Sequence, residues 1–295
     1  TRDWSSDVCS SDLKRTSNLD KTLLKKYKKK IFDSIDFVDE NSSSIFPEIR
    51  EKLVSDLFSV DIDFERSLFY LNMLKKSDVD IYNRNIYSVE SINDKHIFYH
   101  FDDYGRLHTN FTILKSFIRK NCLKIDGEET CEIDINNSQP LFLCKLIEDS
   151  QTAWVNKDEF LFFKKLVVNG NFYQYLMQIT GDKDKKMIKE LTYKVLFGHN
   201  KSNSKADILF SSVFPTIHTF IKLYKKEFGS HKILAHDLQR SESNLIYNKI
   251  IKKIMIIYPD IKILTVHDSL IFPQKYRVDI ETIFNNELKN ELNLK

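Results

Sequence analysis

The sequence predicts an α+β fold, on three observations. Residues 130–136 alternate apolar with polar, as a half-buried strand does. The stretch IKILTVHDSLIFP, residues 261–273, reads as two short apolar strands around a tight turn. Elsewhere, in 185–198, 237–258 and from Leu19 to about Leu74, apolar residues recur at helical spacing.

Taken in chain order, the opening TRDWSSDVCSSDL has no initiator Met and resembles a translated sequencing adapter, so residues 1–13 are set apart from the fold. The native start of the chain is expected to be missing. Leu23, Leu24, Tyr27 and Ile31 make one helical stripe, and Leu53, Leu57, Leu68, Leu71 and Leu74 predict further helices beyond a linker-like DENSSS. KKYKKK reads as a solvated face. Cys131, Ile133 and Ile135 bury one side of the first strand and leave Glu132, Asp134 and Asn136 on the other. Pro140 ends it, and LFLCKLI begins a buried helix.

In KKMIKELTYKVLFG the apolar face is Met187, Ile188, Leu191 and Val195, while Lys185, Lys189, Tyr193 and Phe197 recur every fourth residue on another face; Gly198 closes the helix. Two cations followed by two rings suit a triphosphate and a base or sugar. A further helix, from about Asp237 to Tyr258, stops before Pro259 with Gln239, Arg240 and Glu242 at its polar start. His267-Asp268 is a poor pair for the hairpin turn, where positive φ favours Asn-Gly or Asp-Gly, so the side chains are expected to matter there.

Composition bounds the chemistry. With 295 residues, 42% of them hydrophobic, the chain can bury a core in one or two domains. Net charge is +3 and the pI about 8.4, which permits a polyanionic partner without demanding one. No apolar run approaches the ~20 residues that cross a bilayer, and no signal peptide is evident, so no membrane partner and a cytoplasmic location are expected. Cys9, Cys122, Cys131 and Cys144 show no CxxC spacing, which predicts buried thiols rather than zinc or disulfides.

Two strand-borne acids, Asp134 and Asp268, with a Lys/aromatic helix between them in sequence, are the parts of metal-assisted nucleotidyl transfer. Their order resembles the family A DNA polymerases. DINNSQ, beginning at Asp134, is similar to motif A; Lys185, Lys189, Tyr193, Phe197 and Gly198 match the spacing of motif B; and His267-Asp268-Ser269 stands for the His-Asp-Glu of motif C. YGRLHTNF with Arg106 and LQRSESNLIY with Gln239 are weaker matches, and the likeness covers roughly 101–285. Lys185 stands where the family has Arg, Ser269 where it has Glu (as in single-subunit RNA polymerases), and no proofreading exonuclease is recognisable. Gln139 falls at the sugar-gate Glu if the strand is counted without a gap.

This resemblance implies a polymerase-like palm with an antiparallel sheet plus helical fingers. It divides the chain into 14–100, a helical N-terminal region and at most a thumb remnant; 101–150 and 233–295, the palm; and 151–232, the fingers. It implies Asp134 and Asp268 as catalytic metal ligands for two Mg2+ ions, with Mn2+ as a substitute. Lys185, Lys189, Tyr193, Phe197 and Gln139 would meet the nucleoside triphosphate; Arg106, Gln239 and His267 would meet the primer-template. The sugar preference, the template and the oligomeric state stay open. The competing expectations are a catalytically degenerate nucleic-acid-binding module of a mobile element, and template-independent nucleotide addition.

Overall fold

A computed structural model of the chain describes residues 45–199 and 204–293. The expected stripe of Leu23, Leu24, Tyr27 and Ile31 lies outside the described residues, as do the adapter-like segment and Cys9. In chain order the elements are α1 (Pro47–Leu57), β1 (Val60–Ile62), α2 (Phe64–Ser77), α3 (Val79–Asn93), β2 (Tyr99–Phe101), β3 (Leu107–Thr109), α4 (Asn110–Ile113), α5 (Ser116–Cys122), β4 (Leu123–Ile125) and β5 (Glu128–Asp134). There follow the helices α6 (Ser138–Asp149), α7 (Lys157–Val168), α8 (Phe172–Thr180), α9 (Lys185–Phe197), α10 (Lys205–Val213) and α11 (Pro215–Glu227). Then come α12 (Ile233–Ser243), a π-helical stretch (Asn244–Ile251), α13 (Lys252–Ile257), β6 (Leu264–Val266), β7 (Ser269–Pro273) and α14 (Arg277–Glu291). Helices and antiparallel strands are mixed, as an α+β class requires.

The described chain forms two compact units, one of residues 54–100 and 108–130, the other of 45–53, 101–107 and 131–293. In the first, β4 pairs antiparallel with β1 and with the start of β5. The β4–β5 turn is Asp126-Gly127, both with positive φ (49° and 78°), so an Asp-Gly pair stands where a two-residue hairpin demands it. Asp78 separates α2 from α3 and serves both: its amide bonds to Leu74 O, and its carboxylate accepts from Ile81 N. Leu71, Leu74, Ile86, Val89 and Ile92 are buried on this helical pair.

The second unit holds the last residues of β5, β7 beside it, β6 beside β7, and the helices from α6 onward. Phe163, Phe172, Phe210 and Phe214 pack edge to face and tilted at its helical core, with centroids 5.1 Å apart for Phe163–Phe214 and 5.3 Å for Phe163–Phe172. Helix α9 buries Ile188, Thr192, Val195 and Leu196. The helical period holds, but its phase differs from expectation: Met187 is 42% exposed, because the buried stripe turns about one residue further round the helix.

Gly198 ends α9 with φ −77°, not in the left-handed region. It is glycine for another reason: a Cβ there would lie 2.2 Å from Lys194 O. The same helix end is held by Lys225, whose buried ammonium donates to Val195 O (2.7 Å) and Gly198 O (2.9 Å). Burial, with Lys222 nearby, pushes that ammonium down to about 8.

The helix expected from about Asp237 begins instead at Ile233, and its middle is π rather than α. On that wider turn sits Tyr247, fully buried, whose hydroxyl accepts from Leu107 N (3.2 Å) and pairs with Thr265 Oγ1 (3.3 Å), tying the first residue of β3 and the middle of β6 to one helix. Cys122 and Cys144 are buried, Cys131 half-buried, and all three are free thiols. No helix among the described residues is long and apolar enough to cross a membrane.

Candidate active site

Asp134 is the last residue of β5, and its side chain is exposed. The strand stops there because the chain turns sharply: Asn137 adopts φ 55°, a left-handed conformation, and α6 starts at Ser138. Asn136, expected on the strand's polar face, therefore belongs to the connection. Pro140 sits in the first turn of α6, where no amide partner is required, so it opens the helix instead of closing the strand.

Asp268 lies in the two-residue turn between β6 and β7, fixed by the pairing Val266↔Ser269. His267 takes φ 56°, a position that glycine would hold without strain. A non-glycine residue in this conformation costs on the order of 1 kcal/mol or more. The turn meets the strand end directly, since Ile135 N donates to Asp268 O at 3.2 Å. Ser269 Oγ lies 2.9 Å from Val266 O and 3.2 Å from Glu132 Oε1, so the residue after Asp268 touches an acid of the neighbouring strand.

Electrostatically the two aspartates share a site with a third acid. Burial, then the charge of Glu242, then that of Asp134 push the Asp268 carboxyl up to about 6, against its own backbone amide and Arg106. Glu242 is 1% exposed and accepts four hydrogen bonds. Arg106 gives two of them, Nε at 2.9 Å and Nη2 at 2.5 Å, both to Oε1; Ser138 Oγ (2.5 Å) and Gln139 Nε2 (2.7 Å) reach Oε2. The guanidinium of Arg106 is thus engaged by a buried carboxylate, and the Gln139 amide donates to the same group.

The helix α9 carries its expected stripe: Lys185 and Lys189 are exposed, Tyr193 and Phe197 half-buried. The two rings stack with centroids 5.3 Å apart and 28° between planes, and Lys189 Nζ lies 5.5 Å from the Tyr193 centroid. Between this helix and the turn stands Tyr173 of α8, buried, with the Tyr193 hydroxyl and the Asp268 carboxylate as polar neighbours; burial first, then these two, push its phenol well up. Gln239 is half-buried on α12, one residue before Arg240, which pairs with Asp237 and lies over the Tyr104 ring.

The donor set fits a hard divalent cation. The Asp268 carboxyl feels the charges of Glu242, Asp134 and Arg106, and Glu242 is already saturated by that arginine and two further donors, so Asp134 and Asp268 are the carboxylates that could hold a metal. Among the described residues no three His, Cys, Asp or Glu side chains form a ready cage. Mg2+ is commonly held by one or two carboxylates, with phosphate oxygens and water completing the octahedron.

Two members of the cluster escaped the sequence reading. Glu242 has no assigned role there, although an acid between Leu238 and Leu245 on an apolar helix face was a usable signal. Tyr173 gave none, since it lies in an ordinary amphipathic run. A comparison with models of protein families finds no match for the chain, and none is found among curated proteins.

Proposed function

We propose that the protein is a nucleotidyltransferase of the family A DNA polymerase kind, extending a primer against a template with nucleoside triphosphates. One observation carries this reading: Asp268, on a strained turn bonded to the end of the Asp134 strand, is electrostatically linked to Asp134 on one side and through Tyr173 to the Tyr193 of α9 on the other. Acids and a Lys/aromatic helix far apart in sequence thereby share one region of one unit.

Asp134 and Asp268 would hold two Mg2+ ions, which when bound supply charge stabilisation for the attacking 3′-oxygen and the departing pyrophosphate. The exposed ammoniums of Lys185 and Lys189 offset the charge of the triphosphate. The Tyr193–Phe197 pair offers an apolar surface against which sugar and template base rest. Arg106 contributes by fixing Glu242, and Gln239 and His267 border the primer-template path.

Primer extension tests this directly. The wild-type chain should lengthen a labelled primer with Mg2+ or Mn2+, while Asp134→Asn and Asp268→Asn should abolish addition and leave primer-template binding largely intact, because phosphate contacts elsewhere carry binding. Addition that survives either substitution, or a wild type inert with both metals, sinks the reading.

A further inference from the structure

Lys225 is 3% exposed, and among the described residues no carboxylate bonds to it. Buried ammoniums are rare unless an acid neutralises them, so this one calls for a reason. The acid whose charge reaches it, Asp207 of α10, is bonded instead by Lys222 (2.7 Å) and His218 (3.3 Å), one and two turns earlier on α11. Below the value of about 8 to which burial and Lys222 push it, the ammonium keeps its charge and directs it at two backbone carbonyls, Val195 O and Gly198 O.

Those carbonyls lie at the last turn of α9. That end has no left-handed cap, since Gly198 is extended (φ −77°, ψ 171°), so a donor from elsewhere must meet them. They flank Phe197, and Val195 follows Tyr193 by two residues. The stack fixes the two rings to each other, so the backbone of this turn sets where the pair lies.

The helix that carries Lys225 is itself tied on three sides. Glu159 of α7 accepts from Thr216 N (3.2 Å) and Ile217 N (2.9 Å) at the start of α11, Asp207 of α10 takes His218 and Lys222 at its middle, and Tyr224 donates to Asp237 of α12 (2.8 Å) near its end. The geometry points to Lys225 as a positioning residue for the nucleotide: from a helix braced against three others, its ammonium sets the last turn of α9 and with it the Tyr193–Phe197 surface on which the nucleotide rests. The inference rests on the nucleotidyltransferase reading above and adds to it a residue that touches no substrate.

Two variants disturb the same turn by different means. Lys225→Met keeps the stem and removes the donors; Gly198→Ala adds a Cβ that would lie 2.2 Å from Lys194 O, so the turn must shift. In single-nucleotide addition near pH 7 each should raise the nucleotide KM about tenfold, the scale of one lost charge-assisted bond, with kcat within about twofold and primer-template affinity unchanged. Amide hydrogen exchange, which needs no activity, should quicken about tenfold at residues 195–198 in both variants, while the β6–β7 hairpin exchanges as in the wild type. If Lys225→Met loses protection in the hairpin as well, it has unfolded, and Gly198→Ala alone decides. Unchanged exchange at 195–198 in an active enzyme, an unmoved nucleotide KM, or a joint fall in kcat and primer-template affinity overturns the inference and leaves the reaction class standing. A wild type that adds no nucleotide overturns both.

Discussion

Asp268 shows what a single residue costs when its surroundings are arranged for something other than stability. In the unfolded chain its carboxyl titrates near its ordinary value of 3.8, whereas in the fold burial and two neighbouring acids hold it at about 6. Between those values the folded state binds the more protons, so stability contributed at this position is present below about pH 4 and is lost as pH rises towards 6. Well above pH 6 the penalty is complete, on the order of 3 kcal/mol. Asp268→Asn is therefore expected to raise the denaturation midpoint at pH 7.5 in metal-free buffer and to flatten the decline between pH 4 and 6. Saturating Mg2+ should narrow the gap, since a cation beside the carboxylate offsets the same repulsion. Equal stability of the two proteins across that pH range would show that the acid cluster is relaxed in solution.

At the scale of elements, the hairpin around His267-Asp268 and the helix from Lys185 were both legible, because each is marked by its own local period and punctuation. The phase of α9 was less so: Met187 and Ile188 are adjacent apolar residues about 100° apart on the helix, and only packing decides that Ile188 goes inside. No hydrophobic pattern announces the π stretch of Asn244–Ile251, whose widened turn serves Tyr247 and its bonds to Leu107 and Thr265. Glu242 was hidden for a different reason, since its partner Arg106 lies 136 positions away and no local window contains both. The exposed edge of α9 yields the next expectation. Lys189→Ala should raise the nucleotide KM or lower kcat by about tenfold, the loss of roughly one charge-assisted bond, with primer-template affinity unchanged. A fall in nucleic-acid affinity with unaltered kinetics would make this lysine part of a basic patch and not a triphosphate ligand.

For the molecule as a whole, 45 basic residues nearly balance 42 acidic ones, so long-range attraction to nucleic acid is weak, and on the proposed function binding rests on local phosphate contacts. Three such contacts on a duplex predict a loss of affinity of roughly fortyfold between 50 and 200 mM salt, measured by fluorescence anisotropy. The slope should be the same for Asp134→Asn; an affinity indifferent to salt would leave no nucleic-acid partner to propose. The saturated carboxylate at the centre of the second unit also bears on how this protein comes into being. Arg106 leaves the ribosome well before its partner exists, and at synthesis rates of ~5–20 residues per second the wait for Glu242 is about 7–27 s. During that interval the guanidinium, Ser138 and Gln139 are a cluster of donors awaiting an acceptor, and the nascent chain holds Asp134 without Asp268. The acid cluster is thus among the last features to assemble, and a chain interrupted before residue 242 is released without it.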